Sequence, residues 1–171
     1  DDDSFMPHFD DRAWPNAVPA KPLDTDYQFT DCPTDRVIRE IIPTEVYRDE
    51  TGVIYDAGEN TVGFPVLRCD ARTDSVRVTF SEELTCDNQL DPRHGHLQEF
   101  RVRNDGKSRL VHARAIWFGF RYFRVEGNAI TDKIYVVHSN IATASSFQCS
   151  DDTLNWLYNT YRHTQLCNMH Y

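Results

Sequence analysis

The chain has no long apolar run. Nowhere does it approach the ~18 consecutive apolar residues that a membrane-crossing helix needs, and no leader-like pattern opens it. It also lacks positive charge: 18 Lys and Arg stand against 27 Asp and Glu, for a net charge of −9. That sign is wrong for a protein that tracks phosphates, so nucleic-acid binding and a general affinity for anionic membranes are not expected. Its five cysteines, Cys32, Cys69, Cys86, Cys149 and Cys167, are an odd number, and no two form a Cys-x-x-Cys pair. A disulfide framework or a four-cysteine zinc site therefore has little support. There is no nucleophile elbow, no phosphate-binding glycine loop and no dinucleotide fingerprint, and no cofactor is expected.

What is present reads as strands. Residues 1–35 hold Phe5, Phe9 and Trp14 among many Asp and Pro, and the prolines prevent regular structure for long. An extended arm, or the tail of a preceding module, is expected there. From Arg36 short extended runs follow: 37–42, then 45–47. Val53-Ile54-Tyr55 is β-branched and aromatic, Asp56–Asn60 supplies turn chemistry, and a second extended run begins at Val62. The spacing predicts strand, polar turn, strand, with Gly63 where something approaches the backbone closely. Ser75–Ser81 alternates apolar and polar, the period of a strand with one wet face. Further extended runs are predicted at 98–103, 110–116, 120–125, 130–137 and 145–149, with turn signals at 104–107 and 127–128.

About ten short strands with no helix between them predict an all-β, antiparallel, jelly-roll-like β-sandwich over residues 36–149. One helix is predicted at the end, over 150–171. Ser150 is a good N-cap, and Asp151 and Asp152 suit the positive end of the helix dipole. Leu154, Leu157, Tyr158 and Tyr161 form one apolar stripe, which turns polar at Gln165 and Asn168. The chain opens on Asp1-Asp2-Asp3 and stops at Tyr171 inside this pattern, so both ends are expected to be cut and further protein to follow.

Four groups of residues invite chemistry. Asp56 and Glu59 flank Gly58 and offer the two carboxylates that glycoside hydrolysis requires. In a strand-to-strand turn, however, such residues mostly accept from local backbone. His94 and His96, near Asp91, offer zinc ligands, but Pro92 and Gly95 favour an ordinary loop. His163, Cys167 and His170 share one helix face at i, i+4, i+7, yet no fourth ligand is evident, and a helix packed on other protein explains them as well. Trp117-Phe118-Gly119-Phe120-Arg121-Tyr122-Phe123 is the densest aromatic run. Alternation puts Phe120 and Tyr122 on one face and Arg121 and Phe123 on the other, so at least one set is core. Trp117 remains a candidate carbohydrate contact. No catalytic and no metal residue is assigned.

Several of these stretches also match a known family. Tyr55-Asp56-Ala57-Gly58-Glu59-Asn60-Thr61-Val62-Gly63-Phe64 resembles the Tyr-Asp-Phe-Gly-Gln-Asn-x-x-Gly-Trp signature of bacterial α-L-rhamnosidases, glycoside hydrolase family 78. Val78–Leu84, Phe118–Val125, Val137-His138-Ser139, Ser146–Asp151 and the helix from Leu154 resemble further family segments in the same order. The departures are Ala57 and Glu59, where the family usually has an aromatic residue and a glutamine. The resemblance implies a β-sandwich that precedes a catalytic (α/α)6 barrel, with both catalytic carboxylates beyond Tyr171. It implies a bacterial parent, periplasmic or secreted, that hydrolyses terminal α-L-rhamnosides with inversion. The partners implied are that barrel and a rhamnose-containing glycan. The expected role is a non-catalytic domain bracing the barrel. A free-standing carbohydrate-binding module that uses exposed rings such as Trp117 is the second reading, and a scaffold without ligand the third.

Overall fold

The computed structural model describes residues 10–93, 98–104 and 106–170. The chain divides into two compact units, Asp1–Asp31 and Cys32–Tyr171. The described part of the first unit holds neither helix nor strand, and its one turn is closed by the Trp14 amide on the Asp11 carbonyl at 2.8 Å.

Among its described residues the second unit contains eight strands and a helix: β1 (Asp35–Ile41), β2 (Thr44–Arg48), β3 (Gly52–Cys69), β4 (Ser75–Ser81), β5 (Gln98–Arg103), β6 (Arg109–Val111), β7 (Phe118–Glu126), β8 (Ala129–Ser139) and α1 (Asp152–Cys167). Every pairing between these strands is antiparallel. The path through the sheet is β1-β8-β3-β7-β4-β5, with β2 and β6 also on β3. The fold is an antiparallel β-sandwich with one C-terminal helix.

β3 organises it. Its first half, Gly52–Asp56, pairs with β2 and β7, while its second half, Gly63–Cys69, pairs with β8, and with β6 from Leu67. Side chains from both halves, Val53 and Tyr55 from one and Leu67 and Cys69 from the other, enter a single buried cluster. The sheet therefore curls about β3, and the core lies inside the curl. At Gly63, φ is +150°, and a Cβ there would fall on the Tyr135 carbonyl of β8. Only glycine lets the neighbouring backbone come this close. The predicted close approach at this position is what the structure contains.

The predicted turn at Asp56–Asn60 is different in kind. The chain does not reverse, and β3 is one strand of 18 residues. Between Asp56 and Thr61 the register on β7 advances only from Tyr122 to Phe120. Ala57-Gly58-Glu59-Asn60 thus bulge opposite the single residue Arg121. Turn-forming residues produced a wide bulge because the runs on both sides pair with the same strand.

The bulge also corrects the face assignment in β7. Phe118 and Phe120 are core, but so are Phe123 and Val125, and Tyr122 is only half buried. Alternation slips by one residue at Arg121, where the ladder is interrupted. Phe80 of β4 stacks on Phe118 with centroids 4.3 Å apart and contacts Phe120 and Phe123 as well. A residue that fills the centre of the core this way contributes roughly 3 kcal/mol or more relative to alanine.

Two other predicted strands shrink. The run predicted at 110–116 is β6 only as far as Val111, and 145–149 is not a strand. The helix starts one residue later than predicted: Asp151 is the N-cap, and its Oδ1 accepts from the amides of Thr153 and Leu154 at 2.8 and 3.3 Å.

Candidate functional site

The sheet and α1 meet at two places, and together these form the candidate site. The first is the β3 bulge. Asp56 receives Nε and Nη2 of Arg121, each at 3.0 Å, and the Gly58 amide at 2.7 Å. Gly58 itself has φ +81°, a conformation that costs little only without a Cβ. Glu59 pairs with Arg39 of β1. The bulge then presents the Asn60 carbonyl to α1. His163 Nε2 donates to it at 2.6 Å, and Cys167 Sγ lies 3.9 Å from the same oxygen and 3.7 Å from Nε2. Burial pushes the Cys167 thiol up. A small cleft of about 130 Å³ separates the helix from the sheet here, lined by Thr61, Gly119, His163 and Asn168 among others.

The second meeting place lies past the end of α1. The His170 ring stacks on Trp117 with centroids 3.7 Å apart and 19° between planes. His170 Nδ1 is 2.9 Å from Asp35 Oδ2, and Nε2 is 3.3 Å from the Cys167 carbonyl. Asp35 Oδ1 accepts from the Ser139 hydroxyl at 3.0 Å, and the Ser139 amide donates to the Met169 carbonyl at 2.8 Å. The end of the helix is thereby tied to β1 and β8.

Chemically, the first place holds shape. Burial alone raises the Asp56 pKa, but the bonds and charge of Arg121 and the Gly58 amide outweigh it, and the carboxyl lies below its ordinary value. A general acid for glycoside cleavage needs the opposite shift. Both carboxylates proposed from the sequence, Asp56 and Glu59, are thus engaged by guanidinium groups from other strands.

The three ligand-type residues of the helix do not converge. His163 and Cys167 meet at Asn60, while His170 turns to Asp35 and Trp117. Among the described residues no group of three or more His, Cys, Asp or Glu is arranged to hold a metal ion. His94 and His96 lie outside the described residues. Asp91 is 7% exposed and pairs with Arg93. Trp117 is 43% exposed and stands in the connection between β6 and β7. The sequence offered no signal for Asp35, Asn60 or the Asp56–Arg121 pair as functional contacts, because each depends on a partner far along the chain.

The region that carries the bulge, Arg121 and Trp117 also decides the family. The model described as the bacterial alpha-L-rhamnosidase concanavalin-like domain matches residues 47–143. The chain belongs to this family. The matched stretch begins within β2 and ends just past β8, short of α1. The curated alpha-L-rhamnosidase of Formosa agariphila is 23% identical over 179 residues, which cover 95% of this chain and 19% of that protein. The structure of alpha-L-rhamnosidase from Dictyoglumus thermophilum superposes with a TM-score of 0.77 at 21% identity, covering 96% of this chain and 20% of that one. The Streptomyces avermitilis alpha-L-rhamnosidase complexed with L-rhamnose gives 0.72 at 21% identity, over 81% of this chain and 14% of that one. These similarities show the fold. This chain spans about a fifth of the length of the first two relatives, and in them the rhamnosidase domain is one part of a longer single chain.

Proposed function

We propose that this chain is a non-catalytic domain of a larger α-L-rhamnosidase and braces the module that holds the active site. The parent hydrolyses terminal α-L-rhamnosides with inversion, using a general acid and a general base contributed by an (α/α)6 barrel outside these residues. In this reading residues 1–35 are an arm or the tail of a preceding module, 36–149 the sandwich, and 150–171 the lead into the barrel.

One observation carries the reading: α1 is seated upside down. An amphipathic helix in a finished domain buries its apolar stripe. Here the face turned to the sheet holds His163 and Cys167, which meet the Asn60 carbonyl and one another. Leu154, Leu157 and Tyr161 of the predicted stripe point away, from 47% exposed at Leu154 to 66% at Tyr161, while Tyr158 is half buried beside Ser145 and Phe147. A cluster of large apolar side chains left in water marks a surface that other protein covers. The extra length of the relatives supplies a candidate in the same polypeptide.

The test is an assay of the 171-residue chain on an aryl α-L-rhamnoside. No turnover above buffer is expected. Turnover that stays with the chain through successive purification steps overturns the reading.

A further inference from the structure

His170 has an acceptor at each of its ring nitrogens. Nδ1 is 2.9 Å from Asp35 Oδ2, and Nε2 is 3.3 Å from the Cys167 carbonyl. An ionised carboxylate and a carbonyl oxygen accept hydrogen bonds and donate none. A neutral imidazole carries one N–H, so it makes one of these bonds and turns a lone pair toward the other oxygen. Only the doubly protonated ring makes both.

The rest of the surroundings also suits a cation. The Trp117 ring lies against His170 with centroids 3.7 Å apart and 19° between planes, and an indole face attracts positive charge. Asp35 is held in place, since its other oxygen accepts from the Ser139 hydroxyl of β8. Two arginines stand nearby. Arg39 of β1 acts on the Cys167 thiol and is paired with Glu59. Arg114, in the connection between β6 and β7, lines the same groove as Asp35 and Trp117.

His163, the other histidine that seats α1, provides the contrast. Its Nε2 donates to the Asn60 carbonyl at 2.6 Å, and one N–H is enough for that bond. A neutral ring makes it. The two ends of the seat therefore differ in how many protons they need.

We propose that His170 is a proton-operated latch on the end of α1. Doubly protonated, it ties the residues after the helix to β1 and stacks on Trp117. As pH rises through the range in which histidines give up a proton, one of its two bonds is lost and the latch loosens, while the His163 contact holds. The seated state holds the extra proton, so the seat is firmest below that range and weakens as pH rises through it. The latch rests on the geometry of this chain alone. Its consequence, a brace that is firmer in acid, rests on the proposed bracing role.

The experiment is NMR of the 171-residue chain between about pH 5.5 and about pH 8.5. The reporters are the His170 ring nitrogens, the Trp117 indole N–H and the Ser139 amide, which donates to the Met169 carbonyl at 2.8 Å. At the acid end both ring nitrogens should carry a proton. Toward the alkaline end one should lose it, and the indole and the Ser139 amide should shift in step. Protection of the Ser139 amide, corrected for the intrinsic pH dependence of exchange, should fall about tenfold, with the α1 amides up to His163 unchanged. His170→Gln should abolish the pH response at Trp117 and Ser139. Since that change also removes the stack, Asp35→Asn serves as the second variant: it keeps an acceptor, removes the charge and should move the transition about one unit lower in pH. A single ring proton at the acid end overturns the proposal. So do a transition at the same pH in Asp35→Asn, a response that survives His170→Gln, or a loss of protection along the whole helix. A failed latch leaves the bracing role standing, because that role is judged by the rhamnoside assay.

Discussion

Asp56 and Arg121 meet across the β3–β7 pair through two parallel bonds of 3.0 Å, and Arg121 is the one residue of β7 opposite four bulged residues of β3. The fork does two things at once. It occupies the gap that the interrupted ladder leaves, and it fixes the bulge so that the Asn60 carbonyl meets His163 of α1. The guanidinium also lies 5.1 Å from the centroid of the Tyr122 ring. A planar, bidentate contact of this kind depends on arginine geometry, which lysine does not reproduce.

The first prediction concerns this pair and pH. A carboxylate whose folded pKa is depressed contributes stability that is fully present above its unfolded value, about 3.9, and is lost as pH falls through the lower folded value. Asp56 is such a group. Urea unfolding of the wild-type chain should therefore give a plateau at neutral pH and a decline below about pH 4. Asp56→Asn should lower the plateau by about 1–2 kcal/mol, because the pair is only partly exposed, and should make the acid decline shallower. An unchanged acid slope in the variant would remove Asp56 from the linkage.

The second prediction concerns Gly63, where β3 lies between β7 and β8. Gly63 pairs with Phe118 of β7 and with Val136 of β8. Its φ is +150°, and the Tyr135 carbonyl occupies the place of a Cβ. Gly63→Ala should cost roughly 3 kcal/mol or leave the chain unfolded. Gly58→Ala is the comparison: its φ is also positive, but nothing lies within 4 Å of a Cβ there. That variant should lose only about 1 kcal/mol. Equal losses in the two, read from thermal melts, would show that backbone conformation rather than crowding sets the cost.

The contrast between these glycines shows what sequence reasoning reached. Period-two alternation located β4 and β5 to the residue, although Thr79 and Ser81, on the face of β4 expected to be wet, are buried. It failed in β7, where Phe120 and Phe123 are both core, because the phase is set by a bulge on another strand 60 residues earlier. Turn residues at Asp56–Asn60 were recognised, but whether such residues reverse a chain or bulge depends on what the flanking runs pair with. Trp117 stood out in the sequence as the first ring of an aromatic run. That His170 and Asp35 lie beside it was not legible, since 53 and 82 residues of chain separate them from it. Motif order located the family where local pattern did not, since it samples the whole fold.

The third prediction concerns the seat of the helix. His163 makes the short contact from α1 to the bulge, 2.6 Å to the Asn60 carbonyl. His163→Ala should remove about 1 kcal/mol of local stability, roughly a fivefold rise in helix opening. In hydrogen exchange this should appear as faster amides along Asp152–Cys167, with β4 and β7 unaffected. His163→Gln, which keeps a donor, should recover part of the protection. Global acceleration across the sheet would mean that the contact supports the sandwich itself and not only the helix.

The fourth prediction separates the outward stripe of α1 from everything beneath it. Leu157 is 53% exposed and Tyr161 66% exposed, so in the 171-residue chain neither buries enough surface to matter much to folding. Leu157→Asp should change its stability by less than about 0.5 kcal/mol. In a longer chain whose following segment covers the stripe, the same substitution buries a charge without a partner and should cost several kcal/mol. Paired melts of the short and long chains measure the difference directly. A Leu157→Asp effect of the same size in both would mean that the stripe stays in water, and the bracing role would lose the surface it needs.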